Sequence, residues 1–197
     1  IMPKDILIDT LWSDIDPQKA ANLFRVTCTY IRSALSEIGF PDILVRELDG
    51  YKLNTAFINC DLFHFRMADH SHRWDNIQSI EAASALYSGE YLEGKTYNWA
   101  GRVRAEIESE YKKLQFYLAN EYYAKGRPNK ACQALEQILV QDPCDEEAVR
   151  RIITIKLQNG EVISAVRVYK RYKAIVKKEL GVLPSENIQS LFNEYPD

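Results

Sequence analysis

Asn22, Arg25, Thr29 and Ser33 follow one another at steps of three and four residues, the spacing that aligns side chains along one face of a helix. Between them they offer an amide, a guanidinium and two hydroxyls, the groups that bond to base edges in the major groove of double-stranded DNA. Tyr30 and Arg32 lie beside this row, suited to the groove wall. Arg46, further on in a β-prone stretch, is suited to a phosphate or the minor groove. Between Pro17 and Ser36 there are three cations, Lys19, Arg25 and Arg32, and no acid. That local sign favours a polyanion. An ordinary amphipathic helix with a solvated polar face is the competing reading.

Other reactive residue types do not assemble into a site. His70 and His72, with Asp69 upstream, have a metal-binding look, but no His-Glu-x-x-His pattern and no nearby cysteine partner supports them or His64. Cys28, Cys60, Cys132 and Cys144 lack metal or redox spacing and read as reduced structural thiols. No glycine-rich phosphate loop and no nucleophile elbow occurs, and pairs such as Glu106 and Glu110 fit a solvated helix face. Neither an enzyme nor a cofactor or metal is expected.

The elements that must position the polar row are marked in the chain. Asp16 supplies an N-cap oxygen and Pro17 suits the first helical position, so the spacing predicts a helix over Pro17–Leu35. Ala20, Phe24, Cys28, Ile31 and Leu35 form its packed side; Val26 falls with the polar row. Before it, Pro3–Trp12 reads as a short helix with Ile6, Leu7 and Leu11 apolar. After it, Ile43–Leu48 and Tyr51–Leu53 flank an Asp49-Gly50 turn, a hairpin signal. The order is helix, turn, helix, wing.

The remaining two thirds reads as helices over Asp61–Ala68, Trp74–Tyr87 and Trp99–Lys125, with a break at Ser88–Asn98. A period of 34 residues relates Gly126 to Gly160, Ala131 to Ala165, Leu135 to Tyr169, Leu118 to Ile152 and Tyr123 to Leu157, the tetratricopeptide spacing. Such units stack into a right-handed solenoid. A terminal helix over Ser185–Tyr195 is expected to cover the last unit. The concave face of this solenoid would draw on Tyr111, Tyr117, Tyr122, Tyr123, Tyr169 and Tyr172 for a protein partner, unless they are wedges between helices. The basic run Arg167, Lys170, Arg171, Lys173, Lys177 and Lys178 is a solvated face or a contact to phosphate or an acidic protein.

Taken together, L-W-S-D-x-D-P, A-A-N-x-F-R-V-T-x-T-Y-I-R-S-A-L and I-L-V-R-x-x-D-G-Y-K-L resemble the second half of an OmpR-type winged helix, as in the Streptomyces antibiotic regulatory proteins. The rest is similar to the bacterial transcriptional activator domain that follows it there. The landmarks are C-D-L-F-x-F from Cys60, A-L-Y-S-G-E-Y-L-E-G from Ala85, D-P-C-D-E-E-A from Asp142 and E-L-G-V-x-P-S from Glu179. The resemblance implies a mainly α protein: a partial winged helix-turn-helix with a small hairpin wing over residues 1–56, and an all-α tetratricopeptide-like domain over 57–197. It implies that a small sheet and a first helix, and in many members a receiver domain, precede the segment that opens here, so the chain reads as a fragment with a reduced winged-helix core. It further implies a transcriptional activator that pairs on promoter DNA, its helical domain serving dimerisation, RNA polymerase recruitment or signal sensing. An interaction module that binds a peptide or protein, without DNA binding of its own, is the alternative.

Composition fits both. The chain has 197 residues, 46% hydrophobic and 27% charged, and a net charge of −3, so any affinity for DNA must come from charge placement. No apolar run reaches the roughly 20 residues a membrane helix needs, and no secretory leader opens the chain. A cytoplasmic location without membrane contact is expected.

Overall fold

The computed structural model describes residues 1–70 and 77–192, with side chains described to Arg66 and again from Ile77. Two compact units divide the chain, one of Ile1–His64 with Tyr91–Val103, the other of Phe65–Glu90 with Arg104–Asp197. The first therefore extends past the expected boundary at residue 56. Its 3-10 turn Thr55–Phe57 carries Phe57 to within 6.3 Å of the Phe40 ring, which ties the segment after the wing to the loop before it.

In the first unit, strand β1 (Met2–Pro3) leads into helix α1 (Lys4–Trp12), followed by α2 (Pro17–Glu37) and the strands β2 (Leu44–Glu47) and β3 (Gly50–Leu53). The three strands form an antiparallel sheet in the order β1-β3-β2. β1 was not expected. Two residues carry no periodic signal, and the strand exists because Met2 and Pro3 pair with Tyr51 and Gly50. Leu7 and Trp12 of α1 are partly buried, whereas Ile6 and Leu11 face solvent.

The second unit is helical: the C-terminal part of α3 (Asp61–His70), α4 (Ile77–Leu86), most of α5 (Ala100–Ala124), α6 (Pro128–Gln141), α7 (Glu146–Gln158), α8 (Val162–Glu179) and the short α9 (Glu186–Gln189). The 34-residue period is visible atom by atom. Gly126 N–H donates to Tyr123 O and Arg127 N–H to Tyr122 O; 34 residues on, Gly160 donates to Leu157 O and Glu161 to Lys156 O. This double closure of a helix end requires a left-handed residue, and Gly126 and Gly160 sit at φ +66° and +75°. Beyond each turn the equivalent Ala131 and Ala165 are wholly buried, small enough for close helix approach.

α4 is fastened to α5 by polar bonds inside a packed layer. Gln115, almost fully buried, donates to Ser84 at 2.6 Å, Tyr122 donates to Glu81, and the Tyr87 and Tyr111 rings stack at 4.0 Å. Trp74, expected in this helix, lies outside the described residues.

Three successive acids organise the last repeat. Asp145 is buried, caps α7 by accepting from Ala148 N–H at 2.8 Å, and pairs with Lys112. Glu146 accepts from Ser185 and lies 3.5 Å from the Tyr172 hydroxyl. Glu147 takes Arg150 through two bonds of 2.8 Å and Arg151 through one of 2.5 Å. The Ser185 bond holds the C-terminal turn where Ile188, fully buried, packs with Val149, Ile153, Tyr172 and Val176. The terminal helix is shorter than expected: α9 passes into a 3-10 turn at Ser190–Phe192, and Tyr195 lies outside the described residues.

The hydrogen bonds from Arg150 hold the Glu147 carboxyl down to about 2, from a usual 4.5. A depressed carboxyl contributes stability that is fully present above pH 4.5 and is lost as pH falls through 2. Glu147 is 43% exposed, so water screens the contribution. Glu147→Gln is expected to lose stability at pH 7 and to show a flatter decline between pH 5 and 2 than the parent, read from low-salt denaturant melts.

Candidate nucleic-acid interface

α2 starts and stops on local chemistry. Asp16 accepts from Gln18 N–H at 3.1 Å and Lys19 N–H at 3.2 Å, with Pro17 at the first helical position. At the other end Gly39 N–H closes on Ser36 O and Phe40 N–H on Leu35 O. Ala20, Phe24 and Cys28 are buried at four-residue steps and Leu35 is half-buried. Ile31, expected on the packed side, is 41% exposed. The sheet and α1 cover the N-terminal half of this stripe; none of the aromatic contacts that hold Phe24 reaches Ile31.

Phe24 fixes the helix to its neighbours. Its ring stands edge-on to Trp12 of α1 at 6.4 Å and to Tyr51 of β3 at 5.1 Å. Burying a phenylalanine contributes about 1.5–3 kcal/mol, and each such ring pair about 0.5–1.5 kcal/mol more. The Arg32 guanidinium over Tyr51 at 5.7 Å adds roughly 0.5–1 kcal/mol. The apolar anchor is the larger effect.

With Phe24 turned inward, Asn22, Arg25, Thr29, Tyr30 and Ser33 are all exposed, as is Val26. From Asn22 to Ser33 the row rises about 16 Å, the height of roughly five stacked base pairs. Arg25 and Lys19 have no ion-pair partner among the described residues, so their charge is available. The Thr29 hydroxyl donates to Arg25 O at 3.1 Å and keeps its lone pairs. Arg32 differs from its neighbours: it is half-buried against Tyr51, which leaves it bracing the wing as well as edging the helix. In the wing, Arg46 is exposed on β2 and unpaired among the described residues, while Lys52 is neutralised by Glu47.

The wing turn differs from the one expected. Leu48 and Asp49 form it, with Leu48 at φ +52° and 85% exposed, and Gly50 is the first residue of β3. Gly50 answers to close approach: a Cβ there would meet Met2 O at 2.6 Å. Lys4 N–H also donates to Asp49 O at 3.0 Å, so β1 and α1 are keyed to the wing at this point.

The tyrosines in the second unit do not share one surface. Tyr122 and Tyr172 are buried, and burial together with Glu81 and Glu146 pushes each hydroxyl up to about 12, keeping both as donors. Tyr111 is buried as well, Tyr117 is half-buried, and Tyr169 is half-buried against Phe192. As contact residues for a partner, Tyr122 and Tyr172 are corrected to helix wedges. Tyr123 is the exposed one, at 43%.

His64 is exposed and bonds Asn59 at 2.9 Å, whereas the side chains of Asp69 and His70, and the whole of His72, lie outside the described residues. No group of three metal-binding side chains occurs among the described residues. The four cysteines are free thiols. No helix among the described residues is long and apolar enough to cross a membrane.

Residues 62–194 match the family described as the bacterial transcriptional activator domain. The chain belongs to that family. It is 25% identical over 214 aligned positions to the transcriptional regulatory protein MoaR1 of Mycobacterium bovis and to that of Mycobacterium tuberculosis, over 98% of its own length. It spans 66% of those relatives, just under two thirds. A solved structure of Mycobacterium tuberculosis EmbR in complex with a low-affinity phosphopeptide has the same fold, with a TM-score of 0.70 at 21% identity over 96% of this chain and 53% of that one. The architecture is thus a winged-helix segment followed by tetratricopeptide-like helices, and the family is one of transcriptional regulators.

Gly50→Ala is expected to destabilise the first unit by about 1–3 kcal/mol, the usual cost of overpacking, because Met2 must give way. A lowered denaturation midpoint with faster amide exchange at Tyr51 and Lys52 would report it; an unchanged midpoint would place β1 off the wing.

Proposed function

We propose that this bacterial transcriptional activator domain protein reads promoter DNA through α2, working in the cytoplasm as part of a transcription activator. In this reading Asn22, Arg25, Thr29 and Ser33 face base edges, Tyr30 and Arg32 stand at the groove wall, and Arg46 approaches a phosphate or the minor groove. A helix of about 10–12 Å diameter fits a major groove about 12 Å wide. The observation that carries the reading is the exposed outer face of α2, free of acids from Pro17 to Ser36 and held outward by Phe24 against Trp12 and Tyr51.

The net charge of −3 leaves little long-range attraction, so one copy binds weakly and two copies on a repeated site supply the affinity. The helical unit then serves the pairing of copies, recruits RNA polymerase or senses a signal. The relatives' printed role in transcriptional regulation supports the reading.

Arg25→Ala in the full-length protein is expected to weaken binding to the cognate promoter by about 1–3 kcal/mol, with relaxed preference at one base position. Gel-shift titration at fixed salt measures it. Unchanged affinity and unchanged preference would remove α2 from the groove.

A further inference from the structure

Between α5 and α7 of the second unit lies a groove of about 350 Å³, floored by Ala119, Leu135 and Ile155 and rimmed by polar side chains. Two amides on the rim, Asn120 and Gln158, spend their oxygens inside the fold. Arg151 Nη1 donates to Asn120 Oδ1 at 3.0 Å, and a guanidinium has no other way to bond, so the orientation of that amide is forced. Its Nδ2 donors are the end left over. Gln158 Oε1 likewise takes the Tyr123 hydroxyl at 2.6 Å, leaving its Nε2 donors.

Charge points the same way as the donors. No acid lines the groove among the described residues, and the neighbouring carboxylate of Glu147 is shared between Arg150 and Arg151. One positive charge remains in excess. Arg151 is held in place three times over, by Glu147, by Asn120 and by the Phe116 ring 4.7 Å away. A cation fixed in this way loses little side-chain freedom when it meets an anion.

We propose that this groove docks an extended acidic peptide segment of a partner protein, its side-chain carboxylates taken by Arg150 and Arg151 and its backbone carbonyls by Asn120 and Gln158. The exposed Tyr123 supplies a flat apolar edge for the chain. The site is separate from α2, and peptide capture does not depend on whether α2 enters DNA.

The test is fluorescence anisotropy on the whole chain with a labelled peptide of about ten residues, alternating Glu and Gly and amidated at its C-terminus. Binding is expected, with weakening as salt rises and loss when every Glu is replaced by Gln. Asn120→Asp keeps an acceptor for Arg151 at an exposed position while removing the free donors and adding a negative charge. It is expected to lower affinity about tenfold or more with an unaltered melting temperature, and Arg151→Ala to lower affinity as much together with a lower melting temperature, since it also breaks the bonds to Glu147 and Asn120. The triple change Lys170→Ala, Lys173→Ala and Lys177→Ala on the basic face of α8 is expected to leave binding intact. Several results would overturn the proposal: equal binding of the Gln peptide, no effect of Asn120→Asp, loss caused by the α8 variant, tighter binding that requires a free C-terminus, or displacement of the peptide by a short DNA duplex.

Discussion

The edge-on seat of Phe24 between Trp12 and Tyr51 is the contact on which the first unit depends. It joins one residue from each element that matters, the leading helix, the long helix and the central strand of the sheet. Rotation of α2 about its axis would break both ring contacts at once, so the direction in which Asn22 and Arg25 point follows from where Phe24 is held. A polar face can read DNA only if it is presented rigidly, because each side chain immobilised on binding costs about 0.5–1.5 kcal/mol that a preset geometry avoids. The core here is small, with Ala20, Phe24 and Cys28 as the buried residues of α2. Few contacts therefore carry the alignment.

In the second unit the same task is distributed. Schellman-type closures at Gly126 and Gly160 repeat the helix hairpin, and the buried alanines five residues later let the helices approach. The run Asp145, Glu146, Glu147 then uses three adjacent carboxylates in three directions: toward Lys112 on α5, toward Ser185 near the C-terminus, and toward the arginines of its own helix. Two motifs that stand about forty positions apart in the chain, around Asp142 and around Glu179, are one structure in space.

The features legible from sequence were those with local causes. Asp16 and Pro17 mark the start of α2, β-prone runs on either side of Asp49 and Gly50 mark the hairpin, and glycines 34 residues apart mark the repeat. What escaped was set by distant partners. β1 is two residues long and exists only through β3; Ile31 has the right phase for burial yet stays 41% exposed; Tyr122 and Tyr172 became wedges because Glu81 and Glu146, 41 and 26 residues away, met their hydroxyls. The basic groove was invisible for the same reason. Glu147, Arg150 and Arg151 at three- and four-residue steps announce an ion-pair cluster, but Asn120 and Tyr123 join it only when α5 lies beside α7.

Gly50 gives the sheet a lock on its alignment. It is the position in β3 where the backbone of β1 passes too near for any side chain, and its neighbours Asp49 and Tyr51 both carry one. Sliding the hairpin by a single residue in either direction would drive a Cβ into the Met2 carbonyl, so the strands have one permitted pairing and no graded series of near alternatives. Loop insertions between Glu47 and Asp49 must therefore be absorbed outward, at the exposed tip beside Leu48, where added length leaves the Asp49 carbonyl and the strand pairing in place.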